Sequence, residues 1–197
     1  MASQSEPTDA IALLKQEHRE VKDAFEQFEK TDDDGRKAKL AKQICTDLTI
    51  HAMLEEEIFY PSFRGKIDDE LLDEAYVEHD SAKLLIAQID AGSPGEEFWD
   101  AKVKVLGEEI EHHIQEEEKP GEGIFYEARQ TGVDLVEMGR KMQERKQELK
   151  SRFETQGLPA PEVRTFAAPP QIELGEEIET PLEGSEGSEE LRPVAPR

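Results

Sequence analysis

Four stretches of this chain carry apolar residues at helical spacing, and a histidine interrupts every one of those stripes. They run Ile11, Leu14, His18, Val21, Phe25, Phe28; then Leu40, Ile44, Leu48, His51, Glu55, Ile58, Phe59; then Leu72, Ala75, His79, Ala82, Ile86, Ile89; and last Trp99, Val103, Leu106, Ile110, His113, Glu117. Steps of three or four residues place each set on one helix face, which must be buried against other such faces. The breaks between them are short: Asp32–Asp33–Asp34–Gly35, Pro61 to Gly65, and Gly92–Ser93–Pro94–Gly95. Helices joined by links this short are antiparallel neighbours. The predicted fold is therefore all-α, an up-down-up-down antiparallel four-helix bundle over residues 9–131.

The histidines also fall at one depth. In an antiparallel hairpin, two residues are level when they are equidistant from the turn. His18 and His51 centre between Asp34 and Gly35, His51 and His79 on Gly65, and His79 and His113 on Glu96. Each lies roughly 14–17 residues from its turn, about 21–25 Å along the helix axis. A single histidine on an apolar stripe is commonly a hydrogen-bonded core residue, and a single His-x-x-x-Glu pair is common on exposed faces. Four level histidines are another matter, because His51-x-x-x-Glu55 and His113-x-x-x-Glu117 add carboxylates to the same faces. Buried carboxylates are costly unless paired or bound to a cation. The pattern predicts one metal-holding layer built from His18, His51, Glu55, His79, His113 and Glu117.

His112 and Glu116 form an alternate pair, but their stripe (Phe98, Lys102, Val105, Glu109) is much less apolar. Glu55–Glu56–Glu57 and Glu116–Glu117–Glu118 read as solvated faces, each with one member turned inward. Cys45 reads as a packed thiol. Tyr60, Tyr76 and Tyr126 read as core edge, and Lys83 as a side chain snorkelling to solvent.

Beyond Pro120 the pattern changes. Ile124–Phe125–Tyr126 offers an apolar patch to cover one end of the bundle. Leu135, Met138, Met142, Leu149 and Phe153 sketch an accessory helix over 132–156, thinly apolar, suited to lying on the bundle or meeting a partner. Residues 157–197, rich in Pro and Glu, predict a disordered acidic tail, and residues 1–8 a flexible N-terminus. With 24 Lys and Arg against 47 Asp and Glu, the net charge of −23 argues against nucleic-acid or anionic membrane partners. One cysteine, no signal-peptide pattern and no long apolar run lead to the expectation of a cytoplasmic protein. No Ser-His-Asp arrangement, phosphate loop or dinucleotide fingerprint nominates another enzyme class.

At these residues the sequence resembles the hemerythrin-like, HHE cation-binding family. Its halves repeat as that family's do. Glu17–His18–Arg19–Glu20–Val21–Lys22 returns as Glu78–His79–Asp80–Ser81–Ala82–Lys83. The run from His51 through Glu55–Glu56–Glu57 to Ile58–Phe59–Tyr60–Pro61 returns as His113 to Glu117–Glu118 and, after an insertion, Ile124–Phe125–Tyr126. The resemblance implies two iron ions with an oxo or hydroxo bridge, zinc or manganese being the lesser fit. His18 and His51 would serve one iron, His79 and His113 the other, and Glu55 and Glu117 would bridge. It also implies a small ligand (oxygen, peroxide or nitric oxide), with a role in oxidative or nitrosative stress or in iron sensing. Weak peroxidase- or catalase-like turnover is one form of such a role. A metal-dependent interaction protein acting through helix 132–156 or the tail is the alternative. Oxygen-carrying members have a second histidine four residues from the one on the third helix. Here those positions are Ala75 and Lys83, leaving solvent, Glu56 or His112 to fill the place and disfavouring reversible oxygen carriage.

Overall fold

A computed structural model describes residues 9–166. Every regular element among them is helical. The bundle consists of α1 (Ala10–Glu29), α2 (Asp34–Leu54), α4 (Asp69–Asp90) and α5 (Trp99–Glu117). Between α2 and α4, a π-helical turn (Glu55–Phe59) and the short α3 (Tyr60–Phe63) continue the line of α2. The contacts run in a ring, α1 to α2 to α4 to α5 and back to α1, as the short links require. Aspartates cap three of these helices: Asp9 accepts from Ala12 N at 2.8 Å, Asp33 from Arg36 N at 2.7 Å, and Asp68 from Glu70 N at 3.0 Å. Each satisfies a first-turn N–H that has no partner within the helix. The first turn is thus shorter than the sequence suggests, because Asp34 and Gly35 already belong to α2.

Two apolar clusters fill the bundle, one on either side of the histidine layer. One gathers Ile11, Leu14, Leu54, Phe59, Phe63 and Leu72. The other gathers Val21, Ile44, Leu48, Ile86, Leu106 and Ile110. After α5, α6 (Ile124–Gln130) covers the first cluster with Ile124 and Phe125. The accessory helix α7 (Leu135–Gln156) lies along α1 and α2 and buries Met138, Met142, Leu149 and Phe153. Gly139 permits that docking, since a Cβ there would meet Ala10 N and Asp9 C at 2.8 Å.

The chain differs from expectation just after α7. The tail was expected to be disordered from residue 157, yet residues 157–166 are described and run back over α4. Asp80 Oδ2 accepts from Arg164 N (2.6 Å), Thr165 N (2.7 Å) and Thr165 Oγ1 (2.9 Å). A buried carboxylate with three donors within the segment outweighs the poor apolar content that predicts disorder. The expected flexible residues 1–8 and the tail from 167 onward lie outside the described residues. No helix among the described residues is long and apolar enough to cross a membrane.

Candidate metal centre

The structure brings all six sequence-predicted residues to one layer. His18 Nε2 and His51 Nε2 lie 3.1 Å apart, and His79 Nε2 and His113 Nε2 lie 3.2 Å apart. Glu55 Oε2 is 3.2 Å from His51 Nε2 and 3.3 Å from His79 Nε2. Glu117 Oε2 is 3.3 Å from His18 Nε2 and 3.5 Å from His113 Nε2. Each glutamate therefore stands between the two imidazole pairs, touching one member of each. His18, His51, Glu55 and Glu117 form one group able to hold a metal ion, and Glu55, His79 and His113 a second. His113 and Glu117 are buried, whereas the His112 side chain is 62% exposed. Helix periodicity decides the register in favour of the more apolar stripe.

Around these six stands a ring of carboxylates that the sequence reading left unidentified. His18 Nδ1 is 2.8 Å from Glu118 Oε1, and His51 Nδ1 is 2.8 Å from Glu17 Oε2. His79 Nδ1 is 3.0 Å from Glu56 Oε1, and His113 Nδ1 is 2.7 Å from Glu78 Oε2. In the neutral imidazole, the form a metal ion binds, a carboxylate at Nδ1 fixes the proton there and turns the Nε2 lone pair inward. The signal was present in the repeat, as Glu–His (17–18, 78–79) and His-x-x-x-Glu–Glu (51–56, 113–118). Reading one glutamate per acidic run as inward undercounted them. Glu56 is buried beside Glu55, and Glu118 reaches His18 from the C-terminus of α5.

Each outer carboxylate has its own cation or imidazole behind it. Lys15 is 2.9 Å from Glu118, Lys146 of α7 is 2.7 Å from Glu17, and Lys83 is 2.7 Å from Glu56. Behind Glu78 stands the exposed His112, 3.5 Å away. Lys83 therefore does not extend into solvent. It ties Glu56, Asp80 (2.9 Å) and the Glu162 carbonyl (3.3 Å) together.

Tyr60 is the other departure. It is buried, not at the core edge, and its hydroxyl donates to Glu117 Oε1 at 2.9 Å. The same oxygen is 3.3 Å from Glu55 Oε2 and 3.5 Å from His79 Nε2. The π-helical turn explains how. The Tyr60 N–H bonds to the Glu55 carbonyl, five residues back, so one wider turn keeps residues 55 and 60 on the same face. Pro61, which has no N–H to give, follows directly within the first turn of α3. Neither Glu56 nor His112 fills the place of the missing fifth histidine, as Glu56 faces the Nδ1 side of His79 and His112 faces outward. Tyr76 is half-buried and Tyr126 is 47% exposed. Cys45 is a packed thiol, as expected, with burial pushing its pKa up to about 12.

Electrostatics follow from this packing. Burial, the largest influence on Glu55, disfavours its charge, but His51 and His79 outweigh it and leave the pKa well below the ordinary value. Burial likewise opposes protonation of His79, yet hydrogen bonds to Glu55 and Glu56 lift it to about 9. His51 also ends well above its ordinary value, because Glu55 and Glu17 overcome burial. For Tyr60, burial and the two inner glutamates act together to push the hydroxyl pKa well up. Glu55 Oε1 is buried without a hydrogen-bond partner, and Glu117 Oε2 has only the Nε2 atoms of His18 and His113 beside it. Converging Nε2 atoms and buried carboxylate oxygens with no donor other than those imidazoles are what a buried cation site requires, so the donor set fits metal.

A helical bundle with a His/Glu layer able to hold metal defines a class of metal-binding helical proteins. Residues 9–120 match the Hemerythrin HHE cation binding domain, and the chain belongs to that family. A solved structure of a hemerythrin HHE cation-binding domain-containing protein from Mycobacterium kansasii shares the fold. It has a TM-score of 0.63 and 22% identity, over 77% of this chain and 96% of that one. A protein named DNA nickase from Nostoc sp. (strain PCC 7120) is 30% identical over 106 residues, 54% of this chain but 30% of its own length.

Proposed function

We propose that this protein holds two iron ions at the His/Glu layer and there binds or reacts with a small ligand: oxygen, peroxide or nitric oxide. The observation that carries the reading is the pairing of imidazoles with Glu55 and Glu117 each standing between the pairs. Bound iron would supply a redox-active Lewis acid with room for an exogenous ligand, a use that suits imidazole and carboxylate donors. His18 and His51 would hold one ion, His79 and His113 the other, and Glu55 and Glu117 would span both. Glu17, Glu56, Glu78 and Glu118 keep the Nδ1 protons outward and the rings aligned. Tyr60 holds a proton 2.9 Å from Glu117, placed to stabilise that carboxylate and to bond a small molecule beside His79. Phe125 and Tyr60 stack on His18 and His79 and exclude water from that side. Such chemistry would serve a response to oxidative or nitrosative stress, or iron sensing, within the cytoplasm.

The test is metal analysis with an optical spectrum of protein as purified. About two irons per chain are expected, with absorption that changes on adding peroxide or nitric oxide. No iron, or a single zinc, would sink the reading. Turnover of either reagent, followed by its consumption, decides whether the protein is an enzyme.

A second reading, a metal-dependent interaction protein, is favoured by one observation. Lys146 of α7 grips Glu17, which holds His51, so α7 is wired to the layer. Metal removal should then expose α7 to limited proteolysis, and unchanged cleavage would dismiss the idea. The nicking activity named for the Nostoc protein remains that protein's, and the charge of −23 opposes a grip on a phosphate backbone.

A further inference from the structure

The two apolar halves of the bundle are packed differently. On the side of α6 and α7, the bundle residues Ile11, Leu14, Leu54, Phe63 and Leu72 are 0% exposed, and only residues contributed by other positions, such as Met138 (6%) and Phe153 (7%) of α7, keep some exposure. Next to the histidines on the other side, six aliphatic residues drawn from all four bundle helices keep some exposure. These are Val21 (4%), Leu48 (5%), Ala82 (5%), Ile86 (7%), Ile110 (7%) and Ile114 (5%). One layer further on it is gone, with Ile44 at 1% and Leu106 at 0%. All six line a cavity of about 530 Å³, and so do all four histidines of the metal-holding layer. Its roof is the segment 158–162, laid over α2 and α4 and secured through Asp80 and Lys83.

That volume lies within the range of small-molecule sites and far exceeds a diatomic ligand. A void of this size is destabilising in a core shaped only for stability. The aliphatic inner wall, below the charged rim, is the part that accepts an apolar guest. The ions on its rim already answer one another, as Lys146 with Glu17, Lys83 with Glu56 and Arg145 with Glu57. The rim also carries Glu20, Asp47 and Asp90, which disfavour an anionic ligand, while the wall beneath it is aliphatic.

We propose that this cavity is a binding site for a neutral, largely hydrocarbon organic molecule, seated between the histidine layer and the 158–162 roof. It is a second ligand site, distinct in chemistry from the small-ligand position, and it stands whichever metal the layer holds.

The test titrates the full chain, as purified, with the neutral fluorescent probe N-phenyl-1-naphthylamine. Saturable binding with a blue-shifted emission is expected. Ala82→Phe and Ile86→Trp fill the space and should each weaken binding by about tenfold or more with metal content unchanged. Because the added atoms enter a void, their melting temperatures should fall by no more than about 5 °C. Absence of saturable binding, or equal binding by wild type and both variants, overturns the proposal. So does overpacking, seen as collapse of both variants, because it would show that the wall has no space behind it. Iron analysis of the same samples reads the metal proposal separately, so the two can fail independently.

Discussion

The His18/His51 and His79/His113 sides of the His/Glu layer descend from one sequence repeat but end differently. Both begin with Glu–His, both continue with His-x-x-x-Glu–Glu, and each has one imidazole covered by an aromatic ring. On the His79 side that ring is Tyr60, at 5.6 Å, with its hydroxyl inside the layer. On the His18 side it is Phe125, at 5.7 Å, with no polar atom to offer. The sequence repeat aligns Tyr60 with Tyr126, not Phe125, so the backbone shifts the register by one residue. After Glu55 the helix widens into a π-turn and carries straight on. After Glu117 it stops, and the chain turns through Gly123, where a Cβ would strike the Glu116 and Glu117 carbonyls at 2.5 Å. Near-identical motifs are thus made chemically unequal by the backbone that follows them.

The largest effect should come from removing what the two sides share. Glu55→Ala or Glu117→Ala should empty both positions, with an affinity loss beyond the ~100-fold upper end found for carboxylates behind a ligand. His18→Ala or His79→Ala should instead reduce metal from two equivalents toward one. Metal analysis separates these outcomes, and equal losses from all four changes would break the two-sided description.

Next come the outer carboxylates. Glu17→Gln and Glu78→Gln should each weaken metal binding roughly 10–100-fold in competition with a chelator. Glu17 should matter more, because it is nearly enclosed and carries Lys146, whereas Glu78 is 19% exposed and faces His112. The reverse order would show that burial does not set the hierarchy.

Tyr60→Phe tests the asymmetry directly. It keeps the ring stack and removes the hydroxyl, leaving Glu117 Oε1 without its donor, at a cost of about 1–3 kcal/mol in denaturant unfolding of metal-free protein. Phe125→Tyr should create no matching hydrogen bond on the His18 side. A gain in stability from that change would mean the two sides are more alike than their geometry indicates.

The smallest difference lies at the periphery. His112→Gln alters a partner that is 62% exposed and should cost less than about 0.5 kcal/mol. Lys146→Gln, 15% exposed and joining α7 to Glu17, should cost more and loosen α7. Hydrogen exchange along 135–156 would read that difference, and identical protection in both variants would argue against the coupling.

Much of the fold follows from local sequence rules. Helical periodicity, aspartate caps and short links specify four antiparallel helices, and equal distances from the turns bring His18, His51, His79 and His113 level. The more apolar stripe favours His113 over His112, since one residue of slip moves a side chain about 100° around a helix. Only the tertiary structure decided the rest. Which glutamate serves which imidazole depends on crossings between neighbouring helices, so Glu17 pairs with His51 and Glu118 with His18. Tyr60 enters the layer because a π-turn changes the helical period, and no apolar spacing announces that turn. Residues 157–166 settle on α4 because Asp80, buried beside His79, takes three hydrogen bonds from them. Periodicity is a property of one helix and can be read along the chain. Partner choice, backbone register after a turn and empty space between helices are properties of several elements meeting.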